Sequence, residues 1–240
     1  MKRVLASTGR LLSGSARSLY LCALDFIYTP LCPLCDAVLA DNRKPLCPAC
    51  QARLPRLSRP FTPSEAANPA YDTVLAVYDY CPEIQQLVHS LKYHGRRELA
   101  CALGSEMGRM LAGLGMDRTA AVVPVPLHPR RARERGYNQS LLLARAAAAV
   151  CSFPVQNTLL RRLRETAPQA RLSREQRDLN VRGAFALSKR RLADLPEAVI
   201  LVDDVFTTGS TLNECARVLK KGGVESVICS TLARVLLDIT

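Results

Sequence analysis

The segment VILVDDVFTTGST, residues 199–211, restricts the fold of this chain more than any other stretch. Its apolar run Val199 to Val202 reads as a strand covered on both faces. Asp203 and Asp204 follow, then a turn of small hydroxyl residues around Gly209. Leu212, Cys215, Ala216 and Leu219 then line one face of a helix. The pattern Thr211-Leu-Asn-Glu214 predicts a capping box at its start, and Gly222 and Gly223 end it. In a parallel sheet such a strand–turn–helix junction sits at the carboxyl edge, where ligands bind. The free N–H groups and dipole of a helix start attract phosphate, and Gly209 permits a close backbone approach. Thr207, Thr208, Ser210 and Thr211 add uncharged donors, and the two carboxylates accept hydrogen bonds from sugar hydroxyls. A 5-phosphorylated ribose presents a phosphate and a diol a few ångströms apart. A P-loop reading fails because no G-x-x-x-x-G-K-[ST] occurs. An ordinary polar turn does not account for Thr-Thr-Gly-Ser-Thr directly after paired aspartates.

Upstream, strand and helix patterns alternate. TVLAVYDY (73–80) reads as a strand, and Ile84, Leu87, Val88 and Leu91 mark an amphipathic helix that Gly95 ends. A second helix is expected from about Arg97 to Leu111. AAVVPV (120–125) reads as a buried strand, and QSLLLARAAAAV (139–150) as a helix with Asn138 as N-cap. VESVICSTLA (224–233) supplies a last strand. The alternation predicts an α/β fold with a doubly wound, mostly parallel sheet.

The cysteines set the N-terminal organisation. Cys32, Cys35, Cys47 and Cys50 form C-x2-C-x11-C-x2-C, a spacing that closes a tetrahedron around one zinc ion. Four thiolates leave no open position, so the metal is expected to be structural rather than catalytic. Cys22, Cys81, Cys101, Cys151, Cys215 and Cys229 sit among apolar residues and are expected to be buried thiols. The boundaries read as a helical segment over 1–30, the zinc module over 31–52, a Pro-rich linker over 53–70 and the α/β domain over 71–240. No apolar run reaches the roughly 18 residues needed to span a bilayer. Arg10, Arg17 and Asp25 interrupt what would otherwise be a signal-peptide core, so a reducing, cytoplasmic location and no membrane insertion are expected.

Charge is concentrated. Residues 128–191 hold 15 Lys+Arg against 4 Asp+Glu, which is +11 of the chain's net +12. Because the run coincides with loop-like segments, a polyanionic ligand is expected: pyrophosphate, nucleotide or nucleic acid.

All 13 positions of residues 199–211 resemble the phosphoribosyl pyrophosphate (PRPP) motif of type I phosphoribosyltransferases. The four-Cys motif, LKYHGRRELA (91–100), VPVPLHPRRARERGYNQS (123–140) and PQARLSREQRDLNVRGAF (168–185) extend the likeness. Together they resemble the ComF family of competence and DNA-utilisation proteins over nearly the full length. The resemblance implies that Asp203 and Asp204 contact the ribose hydroxyls and carry the catalytic role. It assigns the 5-phosphate to Thr207, Thr208, Gly209, Ser210 and Thr211. It makes 126–138 the pyrophosphate loop, with Arg130, Arg131, Arg133 and Arg135 as its cations and Mg2+ bridging to the sugar. Lys92 is a further cation that reaches the pyrophosphate or stays on the surface, and residues 161–183 become a mobile flap. The implied ligand is PRPP, with phosphoribosyl transfer to an unassigned acceptor or sensing without turnover. The alternative is a non-catalytic protein that binds single-stranded DNA or a competence helicase. Against a base-specific transferase, only 29 residues follow Thr211, and His89, His94 and His128 read as structural or surface residues.

Overall fold

The computed structural model describes residues 30–41, 44–57, 69–115, 119–166, 173–188 and 195–235. The expected helix over 1–30, most of the Pro-rich linker, Cys22 and residues 167–172 of the expected flap lie outside them. The chain divides into two compact units, residues 1–51 and 52–240.

In the first unit, Leu31 and Val38 form an antiparallel bridge. Its turn is closed by the N–H of Cys32 donating to the Ala37 carbonyl at 2.8 Å. The first cysteine pair rides on this turn, and the second opens a short helix, α1 (Pro48–Ala52).

The second unit is built on four parallel strands in the order β1-β6-β5-β2. They are β1 (Thr73–Asp79), β2 (Ala121–Pro124), β5 (Ala198–Phe206) and β6 (Ser226–Arg234). The sheet is wound on both faces. Helix α7 (Ser210–Lys221) places Leu212, Cys215, Ala216 and Leu219 on one face, against Val199 and Leu201 of β5 and Val227 and Cys229 of β6. Helices α3 (Glu98–Ala112) and α5 (Gln139–Cys151) pack on each other and on the strands, with Leu103, Met107, Leu143 and Ala147 fully buried. Their backbones nearly touch: a Cβ on Gly104 would lie 2.6 Å from Ala146 Cβ and 2.7 Å from the Leu143 carbonyl oxygen. Only glycine allows that approach. Helix α2 (Pro82–Tyr93) follows β1 and buries Ile84, Leu87, Val88 and Leu91, the stripe expected from sequence.

Three expectations need correction. The segment 126–138 is not all loop: Pro129–Arg135 forms a short helix, α4, with proline in its first turn and His128 Nδ1 accepting from the Arg130 N–H. The capping box at Thr211–Glu214 does not form. The helix starts two residues earlier with Gly209 as N-cap, and Glu214 instead accepts from the Gly183 N–H and pairs with Arg217. The expected flap, 161–183, takes in the end of β3 (Leu160–Arg162) and α6 (Arg174–Val181), and β3 pairs antiparallel with β4 (Phe185–Leu187) just beyond it. Finally, Cys215 and Cys229 are buried as expected, but Cys101 is exposed and Cys81 and Cys151 are half-buried. At the start of the expected linker, Leu54 is buried, Arg56 bridges Tyr78 and the Leu57 N–H donates to the Val77 carbonyl.

Candidate functional site

The carboxyl edge of the sheet opens into a cleft of about 390 Å³. Asp203 and Asp204 lie on β5 itself, which runs on to Phe206 before the turn. Gly209 then adopts a left-handed conformation, φ 77°. A Cβ there would sit 2.8 Å from the Phe206 ring, whose edge packs on Tyr71. Thr207 and Thr211 line the cleft, Ser210 is buried, and the Thr208 and Ser210 hydroxyls hydrogen-bond at 2.6 Å. The turn therefore offers hydroxyls and a helix start to the space in front of the aspartates.

Neighbouring elements fix the carboxylates. Asn138 caps α5 by accepting from the Ser140 N–H at 3.0 Å, and its amide donates to the Val125 carbonyl just past β2. That double tie aims Ser140, whose hydroxyl donates to Asp203 Oδ1 at 2.8 Å. The same oxygen accepts from the Asp204 N–H at 2.9 Å. Asp204 is buried, and Lys92, in the last turn of α2, ion-pairs with its Oδ2. Lys92 is thus neither a surface lysine nor a free cation. Its position follows from the turn after Leu91, whose carbonyl accepts from the Tyr137 hydroxyl.

These contacts polarise the pair. Burial, and then the adjacent Asp204 charge, push the Asp203 carboxyl up to about 7, against the opposing pull of Lys92 and Ser140. For Lys92, burial favours the neutral amine, but the Asp204 charge and contact outweigh it and hold its pKa above the ordinary lysine value. One lysine faces two carboxylates, so the site is short of positive charge at the aspartates.

Across the cleft the balance reverses. Among the described residues, Lys92, Arg131, Arg135, Arg162 and Arg177 line it, with Asp203 and Asp204 as its only acids. Buried Thr166 clips two of the arginines: its carbonyl accepts from Arg131 at 2.9 Å and its hydroxyl from Arg162. Arg162 also lies over the Phe185 ring, 5.2 Å from the centroid, and its buried Nε has no hydrogen-bond partner. Burial and the neighbouring Arg131 both lower its pKa, so an incoming anion would relieve it. Arg135 reaches Gln139 and stacks on Tyr93. The other two expected cations point elsewhere: Arg130 pairs with Glu134 and Glu165 at the surface, and Arg133 is exposed. The remaining wall is less charged, formed by Tyr80 after β1, Val235 after β6 and Leu127 after β2.

Sequence reasoning missed Arg162, Arg177, Ser140, Thr166 and Tyr80. Arg162 had only a weak signal, an arginine closing the short strand Leu-Arg-Arg. Ser140 had another, since it directly follows the first residue of a capped helix.

In the N-terminal unit, the Sγ atoms of Cys32, Cys35, Cys47 and Cys50 lie within 4.8 Å of one another, and those of Cys35 and Cys47 are 3.7 Å apart. Thiolates held about 2.3 Å from a tetrahedral zinc stand roughly this far apart. The Cys50 N–H donates to Cys47 Sγ at 3.4 Å, a contact that steadies a thiolate ligand. All four are free thiols, so the set fits structural zinc.

Comparison with known proteins gives the same two parts. Residues 152–236 match the phosphoribosyl transferase domain, and residues 23–85 match the double zinc ribbon domain. The latter span holds five cysteines and no histidine, enough for one four-Cys cluster. The chain is 35% identical over 175 residues to DNA utilization protein YhgH of Salmonella typhimurium, covering 70% of this chain and 74% of that one. It is 33% identical over 170 residues to Competence protein F of Haemophilus influenzae, covering 69% and 74%. It is 31% identical over 160 residues to Competence protein ComFC of Bacillus subtilis, covering 66% and 63%.

Proposed function

Since the chain belongs to the ComF family of competence and DNA-utilisation proteins, we propose that its cleft binds PRPP and transfers the phosphoribosyl group to a small acceptor. One observation carries this reading: two aspartates, a glycine turn opening a helix and a set of arginines converge on one cleft at the carboxyl edge of a parallel sheet. The 5-phosphate sits on the Thr207–Thr211 turn. The ribose diol faces Asp203 and Asp204, and the pyrophosphate faces Arg131, Arg135 and Arg162. That leaves Tyr80 and Val235 as the wall for the acceptor, which favours a flat, weakly charged molecule.

In the transfer, the C1–O bond breaks with both electrons passing to pyrophosphate. The acceptor's lone pair forms the new bond to C1, and its proton passes to solvent. Positive charge builds on the sugar where the two carboxylates have a single lysine partner, and negative charge leaves toward the arginines. The charge imbalance at the aspartates also suits Mg2+, which Asp203 would face and which would neutralise a diphosphate. Four of the 15 basic residues of the 128–191 run line this cleft, so a small anion accounts for that part of the run.

The test is thermal unfolding with millimolar PRPP and Mg2+. A ligand at 100 times its Kd stabilises by about 2.7 kcal/mol, and the melting temperature rises accordingly. Asp203→Asn and Arg162→Met should each abolish most of the rise. An unchanged melting temperature for the wild-type chain would overturn the proposal.

A further inference from the structure

Next to the cleft lies a second pocket of about 430 Å³. It shares Lys92, Tyr93, Arg131 and Arg135 with the cleft and adds Glu134 and Tyr137, while neither aspartate nor any residue of the 207–211 turn lines it. Its chemistry is cationic and aromatic at once. Glu134, the acid in its lining, is engaged by Arg130 at 3.0 Å. Tyr93 is a large ring left 64% exposed at the end of α2. The Arg135 guanidinium lies 5.2 Å from its centroid and the His89 ring 4.8 Å. Tyr137 is a fixed wall, its hydroxyl donating to the Leu91 carbonyl and its ring carrying Arg97 at 4.5 Å. A single exposed tyrosine is ordinary. One set into a concavity with three cations is a recognition feature, because guanidinium and phenol planes together bind a phosphate and a flat ring.

We propose that this pocket is a second anion site whose ligand is a nucleoside monophosphate. Inorganic phosphate would use the cations and leave the rings idle. A neutral aromatic would do the reverse. A phosphorylated nucleoside engages both. The site does not depend on the phosphoribosyl reading, but it shares cations with the cleft, so the two ligands antagonise each other and do so reciprocally.

The experiment is calorimetric titration of the full-length, zinc-loaded chain with thymidine 3′-monophosphate. This probe has neither a vicinal diol nor a 5-phosphate, so it lacks both groups that the 203–211 segment recognises. It should bind roughly tenfold or more tighter than inorganic phosphate or thymidine. Tyr93→Ala should erase that margin, and Glu134→Gln, at an exposed position outside the cleft, should tighten binding about twofold to fivefold. Saturating PRPP with Mg2+ should weaken it. Equal affinity for phosphate and nucleotide, or a margin that survives Tyr93→Ala, overturns the proposal. If PRPP fails to bind while the nucleotide margin holds, the phosphoribosyl reading falls and this site stands.

Discussion

Asp203 carries the most informative conflict between stability and function. A carboxyl raised to about 7 in the folded protein, against about 3.9 unfolded, binds more protons folded than unfolded between those values. Stability therefore falls as pH rises through that window, and below it the contribution is fully present. Asp203→Asn removes this slope. The variant should melt a few degrees above wild type at pH 8, with the gap closing toward pH 5. Melting curves across that range check it, and a gap independent of pH would refute the assignment. Lys92→Met should act in the opposite sense. It strands buried Asp204 without its counter-ion and costs about 3–5 kcal/mol, measurable by denaturant titration. The aspartates and the turn were legible from sequence because they are contiguous. Lys92 was legible only as a charge, since its partner lies on a strand far along the chain and no local pattern announces that pairing.

Among the elements, α6 shows where local rules succeed and where attention to composition misleads. The segment 173–176 reads Ser-Arg-Glu-Gln and forms a complete capping box, with the Ser173 hydroxyl accepting from the Gln176 N–H and the Gln176 side chain from the Ser173 N–H. The polar composition of 161–183 masked that signal. The equally good pattern at Thr211–Glu214 is overridden because Gly209 already turns the chain and Glu214 is drawn to Gly183 and Arg217. Through α6, Arg177 reaches the cleft. Ser173→Ala should cost about 1 kcal/mol of local helix stability. Hydrogen exchange of the 174–181 amides should accelerate, and PRPP affinity should fall modestly while the sheet amides stay protected. The core strands β1, β2 and β6 were readable to within two residues, since a sheet covered on both faces demands apolar runs. β5 was read four residues short, because Asp203 and Asp204 interrupt its apolar pattern while the strand runs on to Phe206.

At the scale of the whole molecule, the four-Cys unit and the α/β unit are separate compact bodies with separate sources of stability. Among the described residues of the first, the buried apolar side chains are few, Leu39 and Leu46 with Cys32 and Cys50, so metal ligation is expected to order it. Chelation should release one zinc per chain and expose four titratable thiols. The sheet's thermal transition should stay within a few degrees of its original midpoint, as followed by far-ultraviolet circular dichroism. The strand order β1-β6-β5-β2 bears on how the chain is made. The earliest strand of the sheet has the latest as its neighbour, so while the protein emerges from the ribosome β1 waits through some 150 residues of synthesis before its edge is paired. A nascent chain halted before Ser226 would carry Asp203, Lys92 and every arginine that lines the cleft and still lack the strand that joins the two halves of its sheet, which makes the synthesis of β6 the step that turns a vulnerable intermediate into a ligand-competent protein.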